Sequence, residues 1–198
     1  MNTAELWIAL STVSAEGLWI LGQGPRLLAH SQWEDSESHG LSETLELRLN
    51  QILENNGLKL QHIQRIGVVT GPGAFTGLRV STAYTQGLAR ALSVPIFGIT
   101  SFDLVGSPFF IPLRHQKTKL LSLAECLTQG HEFLRLRSPT EFEIATPDAS
   151  SQVLGTNSNP LWPSPEQLLQ AALKSWSNPV ELRYGTGPRV FGVRLESS

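Results

Sequence analysis

The chain has 198 residues, of which 40% are hydrophobic and 16% charged, and a formal net charge of −2. That length and composition suffice for one large domain or two small lobes and imply no long disordered region. The balance of charge gives no general attraction to nucleic acid or an anionic membrane, the single Cys126 excludes an internal disulfide framework and fits a reducing compartment, and no apolar run nears the ~20 residues of a membrane span. No basic region followed by an apolar stretch opens the chain, so no secretion signal is read and the cytoplasm is the expected location.

Residues 5–13 (ELWIALSTV) are mostly apolar and predict a central strand covered on both faces. Residues 17–23 and 26–33, around Gly24-Pro25, add two strands in an antiparallel meander. Trp19 and Trp33 are expected to pack on that sheet. A polar loop over 34–39 leads into a helix from Leu41 to Asn55, with Leu41, Leu45, Leu49, Ile52 and Leu53 as its apolar face. Asn55-Asn56-Gly57 stops it. Residues 65–70 (RIGVVT) predict a buried strand. From Val68 to Leu92 the sequence VVTGPGAFTGLRVSTAYTQGLARAL reads as a strand end, a glycine-rich loop and a long helix of small residues. Residues 94–99 predict another buried strand, so strand, helix and strand have the length of a parallel crossover unit. Ser101 to Leu104 begin a helix that Pro108 stops.

Beyond residue 108 the pattern weakens. Residues 109–113, 119–123 and 132–136 predict three strands, with a helical turn or two over 120–127 as the alternative to the second. Residues 141–144 and 153–154 predict short edge strands, and Pro163 to Trp176 a helix with Leu168, Leu169, Ala172 and Leu173 as its apolar set. The tail from Asn178 is rich in Gly and Pro. This change of character places a lobe boundary near residue 105, giving an N-terminal lobe over 1–105 and a smaller C-terminal lobe and tail over 106–198.

The glycine loop tempts a nucleotide reading. A P-loop needs GxxxxGK[ST], but no Lys stands near and Gly77 is followed by Leu78-Arg79. A dinucleotide fingerprint needs GxGxxG, and Thr76 occupies the place of the third glycine after Gly71 and Gly73. The free N–H groups of a helix N-terminus leave anion binding open. The alternative is that the glycines give a tight turn and let the helix pack closely. His30, His39, His62, His115 and His131 are dispersed, so no metal pair is read, and Cys126 in an apolar context is expected to be a small core residue. Asp occurs only at 35, 103 and 148, away from the strand ends where magnesium-dependent phosphoryl transfer needs carboxylates. Gly87 in a helix interior costs about 1 kcal/mol relative to Ala, which close backbone approach would offset. The approach could be to the helix 41–53 of the same chain or across a subunit boundary, and the residues leave both open.

GPGAFTGLRVSTAYTQGLARAL, followed by VPIFGITSFDLV, closely resembles the GPGSFTGLR…GLA…P…GVSSLE signature of the TsaB (YeaZ) family over about thirty-five residues. Ser38-His39 ahead of the first helix fits the family order, and Asn178 to Arg183 resembles its closing P-x-Y-L-R. The resemblance implies an α/β fold of the actin-like, Hsp70-like ATPase type (ASKHA), two lobes with mixed sheets, the second shortened here. It implies a non-catalytic scaffold subunit in bacterial synthesis of threonylcarbamoyladenosine in tRNA. The implied partners are TsaD, bound as a heterodimer through the two N-lobe helices, and the ATPase TsaE in a larger complex; tRNA is met only through that complex, and a homodimer is the alternative pairing. The interface so implied is Leu41, Leu45, Leu49, Leu78, Thr82, Ala83 and Gly87, beside a structural glycine loop of Gly71, Pro72, Gly73, Phe75, Thr76 and Gly77. No catalytic residue or metal ligand is assigned. No cofactor is expected on the chain alone, and ATP or ADP is an expected occupant of the complex interface. The sequence departs from the family at Ser11, where the first strand usually ends in a DTS-type triplet with Asp, and this strengthens the non-catalytic reading. The competing readings are an ATP-binding phosphotransferase or peptidase of the same fold, and a homodimeric binding module.

Overall fold

Alternation along the first strand sets the architecture. In β1 (Leu6–Ser11), Trp7 and Ala9 enter one core and Ile8 and Leu10 the other, all fully buried. A strand apolar at successive positions is stable only where both faces are covered. The computed structural model describes residues 4–14, 16–34, 40–71, 73–105, 109–112, 123–128, 130, 133–138, 141–148, 150–151, 153 and 163–181. β1 lies at the centre of a five-stranded sheet of order β3-β2-β1-β4-β5. β2 (Glu16–Gln23) and β3 (Arg26–Glu34) form the expected antiparallel meander, while β4 (Arg65–Gly71) and β5 (Ile96–Thr100) run parallel to β1.

Three aromatic rings lock the register of this sheet. Trp7 lies opposite Gly22, Trp33 opposite Gly17, and Phe97 opposite Gly67. In each pair the ring lies over the glycine, where a Cβ would collide with it; at Gly67 the added atom would stand 2.6 Å from Phe97 Cζ. The indoles are also tied down by hydrogen bonds. Trp7 Nε1 donates to the Gly24 carbonyl at 2.8 Å, and Trp19 Nε1 donates to the Leu45 carbonyl at 3.0 Å. Trp19 and Trp33 thus pack in the core as expected.

One face of the sheet carries α1 (Leu41–Glu54) and α2 (Phe75–Leu92). Leu45, Leu49, Ile52 and Leu53 of α1 are buried there, and the turn after its C-cap Asn55 contains Gly57, whose φ of 65° is left-handed. α2 begins at Phe75, inside the glycine motif, and its C-cap Ser93 adopts φ 55°. The other face carries α3 (Ser101–Val105) and α5 (Pro165–Lys174). A second sheet, β6 (Phe109–Pro112), β7 (Phe133–Ser138) and β8 (Glu141–Ile144), is antiparallel, with α4 (Leu123–Thr128) near it through a small core of Phe110, Cys126 and Phe133. The expected strand over 119–123 lies outside the described residues up to 122, and Leu123 begins a helix. The edge strand expected at 153–154 is a single bridge from Val153 to Phe110; Leu154 is outside the described residues. Ser38, His39 and residues 182–198 also lie outside them. No helix among the described residues is long and apolar enough to cross a membrane.

α5, far along the chain, packs on the first sheet. Leu168, Leu169, Ala171 and Ala172 of α5 are buried in the same core as Trp7, Ile20, Val69 and Phe97. Ser164 caps that helix, accepting from Gln167 N at 3.2 Å while its own N–H donates to Gln167 Oε1 at 2.9 Å. Beyond α5, Trp176 sits 5.5 Å from Trp7 and 5.2 Å from Phe97 between ring centroids. The Arg65 guanidinium lies 4.8 Å above the Trp176 ring, donates to its carbonyl at 3.3 Å, and pairs with Glu5 at 3.1 Å. The Gly98 N–H, on the edge strand, donates to the Asn178 carbonyl at 3.1 Å. α5 and Trp176 thus bury apolar surface on the face of the first sheet opposite α1 and α2. Trp176→Ala is expected to cost about 3 kcal/mol, read as a lower urea midpoint with an unchanged slope.

Candidate docking face and glycine loop

α2 has two faces of different chemistry. Leu78, Ser81, Thr82, Thr85 and Ala89 are buried. Ser81 Oγ donates to the Leu78 carbonyl at 3.2 Å, and Thr85 Oγ1 to the Ser81 carbonyl at 2.7 Å, so these hydroxyls are satisfied by their own helix. Small inward side chains let the helix lie close to the sheet. Thr76, Arg79, Ala83, Gln86, Gly87 and Arg90 are exposed on the opposite side. Among the described residues, nothing outside its own stretch of helix lies within 4 Å of the point where a Cβ on Gly87 would stand. The cost of a glycine in the middle of this helix therefore finds no return within the described residues.

The seven expected interface residues separate accordingly. Leu45 and Leu49 hold α1 on the sheet beside Trp19, and Leu41 flanks the same core half-buried. Leu78 enters the opposite core with Val13 and Val69, and Thr82 is buried. These five support the helices from beneath. Ala83 and Gly87 alone of the seven face outward. The separation follows from periodicity: the apolar residues that recur at helical spacing are the ones the sheet claims, and the outward face lies on the other side of the wheel. That face includes residues outside the expected interface, namely Glu43, Glu46 and Leu47 on α1 and Arg79, Gln86 and Arg90 on α2. Leu47 is 43% exposed, an apolar side chain on the outer surface. At the seam, Tyr84 packs edge-on to Trp19 at 6.4 Å, and burial, then the Glu46 carboxylate, push its phenol above the ordinary value.

The glycine loop is closed by packing. Gly71 leaves β4 at φ 100°. Pro72 lies outside the described residues. The Ala74 N–H donates to the Val13 carbonyl at 2.8 Å. A Cβ on Gly73 would meet Val13 Cβ and its carbonyl oxygen at 2.8 Å, and one on Gly77 would collide with the Thr12 carbonyl. The helix thus starts directly on the chain leaving β1, and the two glycines make that approach possible. Phe75 opens α2, and Thr76 is exposed in its first turn. Beneath the loop, Ser11 and Thr12 are buried, and their hydroxyls find no partner among the described residues.

Carboxylates are engaged elsewhere. Asp103 accepts from the Thr100 N–H at 2.8 Å and the Thr100 hydroxyl at 2.6 Å, while its own N–H donates back to that hydroxyl at 3.1 Å, capping α3. Asp148 is exposed and accepts from Ser150 and Ser151, whose hydrogen bonds hold its carboxyl below the ordinary range. Asp35 lies outside the described residues. Among the described residues no group of three His, Cys, Asp or Glu could hold a metal ion. Cys126 is a small core residue against Phe110 and Phe133.

Residues 35–116 match the family model of TsaD, tRNA N6-adenosine threonylcarbamoyltransferase. The tRNA threonylcarbamoyladenosine biosynthesis protein TsaB of Haemophilus influenzae is 34% identical over 62 residues, 31% of this chain and 26% of that protein. The TsaB of Buchnera aphidicola is 33% identical over 57 residues, 29% of this chain and 27% of its own length. The aligned part thus spans about a quarter of these two relatives. A crystal structure of an uncharacterized protein with similarity to peptidase YeaZ from Pseudomonas aeruginosa covers 90% of this chain and 100% of its own, at TM-score 0.55 and 18% identity. That likeness concerns the fold, and with the sheet order it bears out the expected ASKHA-type α/β fold.

Gly77→Ala is expected to lower stability by about 1–3 kcal/mol despite its better helix propensity, whereas Gly87→Ala should raise that of the free chain by about 0.5–1 kcal/mol; chemical denaturation of both variants checks the contrast. Thr12→Val, which keeps the shape and removes an unpaired buried hydroxyl, should be neutral or stabilising by up to about 1 kcal/mol in the same measurement. Because the folded Tyr84 pKa is raised, its contribution is complete below about pH 10 and is lost as pH rises through the folded value. An alkaline absorbance titration against Tyr84→Phe should place this phenolate above the ordinary value, and Glu46→Gln should lower it only partly, since burial is the larger cause.

Proposed function

On the TsaB/YeaZ-family assignment that these matches support, we propose that the chain is a non-catalytic subunit of the bacterial machinery that adds a threonylcarbamoyl group to adenosine in tRNA, pairing with TsaD through the outer face of α1 and α2. The observation that carries this reading is Gly87. It stands mid-helix on the outward face, one turn from Ala83, and among the described residues nothing outside its own stretch of helix lies within 4 Å of a Cβ placed there. A helix backbone left bare at that position suits a partner that approaches closely, where an added side chain would hold it off. The exposed Arg79 and Arg90 on α2 and Glu43 and Glu46 on α1 give the face two signs of charge, which favour one docking register.

The non-catalytic part rests on where the acids are. Ser11 closes β1 in place of an Asp, and Asp103 serves as a helix cap. The loop that could receive phosphate is packed against Thr12 and Val13. TsaD would supply the transfer chemistry, TsaE would join the larger assembly, nucleotide would be met at the complex interface, and tRNA through the complex. A cytoplasmic setting follows from that role.

Co-purification with TsaD of the same organism tests the pairing. The unaltered chain should co-elute with TsaD. Gly87→Leu and Ala83→Trp should weaken the pair tenfold or more while circular dichroism and thermal midpoint of the free chain stay near those of the parent. Retention of pairing by both variants would sink the assignment of the face. Sedimentation of the chain alone, showing a dimer that the same variants break and TsaD does not displace, would give the face to a second copy instead. Calorimetry with ATP and magnesium on the isolated chain should show no binding; a saturable signal would favour the phosphotransferase reading.

A further inference from the structure

We draw no further inference here: the strongest candidate, the buried hydroxyls of Ser11 and Thr12 beneath the first turn of α2, which find no partner among the described residues, belongs to the glycine-loop site already described, where Gly77 packs on the Thr12 carbonyl.

Discussion

The fold depends on how closely backbone and ring can approach in the central sheet. Trp7, Trp33 and Phe97 each lie over a glycine on the neighbouring strand, and each approach is shorter than any side chain there would permit. A one-residue slip of any strand would replace that glycine with a side chain and turn buried residues toward the wrong core. The two cores on either face are therefore specified together, because β1 contributes to both.

The same economy of volume recurs where α2 meets β1. Gly73 and Gly77 let the helix begin against the Val13 and Thr12 backbone, and Ser81 and Thr85 let it continue close to the sheet. Hydroxyls that bond back to their own helix give small volume without leaving a polar group unpaired. Gly87 follows a different logic. It is as small as the others, yet no neighbour among the described residues uses the space, and this separates the two roles of the small residues in one helix.

The return of the chain after the second sheet is the other consequence of a two-faced sheet. α3 alone is five residues long and covers little of its face. Leu168, Leu169, Ala171 and Ala172 complete that cover, and Trp176 closes it under the Arg65 guanidinium. Among the described residues of the second sheet and α4, Phe110, Cys126 and Phe133 are buried together.

The sequence by itself determined the local structure of the first hundred residues. Continuous apolar character in ELWIALSTV and RIGVVT required strands buried on both sides, and the stop at Asn55-Asn56-Gly57 ended α1. The glycine motif was legible as a turn that launches a helix, since the residues that bind nucleotide phosphate were missing from it. Less was legible after residue 108, where short segments of mixed character serve strand and helix equally well. Tertiary structure alone decided that α5 belongs to the first sheet, because an amphipathic helix records that it has a partner but not which one. It also decided which residues of α1 and α2 face out. Leu45, Leu49 and Leu78 carry the stronger sequence signal, but that signal is hydrophobic periodicity, and periodicity marks the face the protein buries in itself. Ala83 and Gly87 became distinct only once the space around them could be seen.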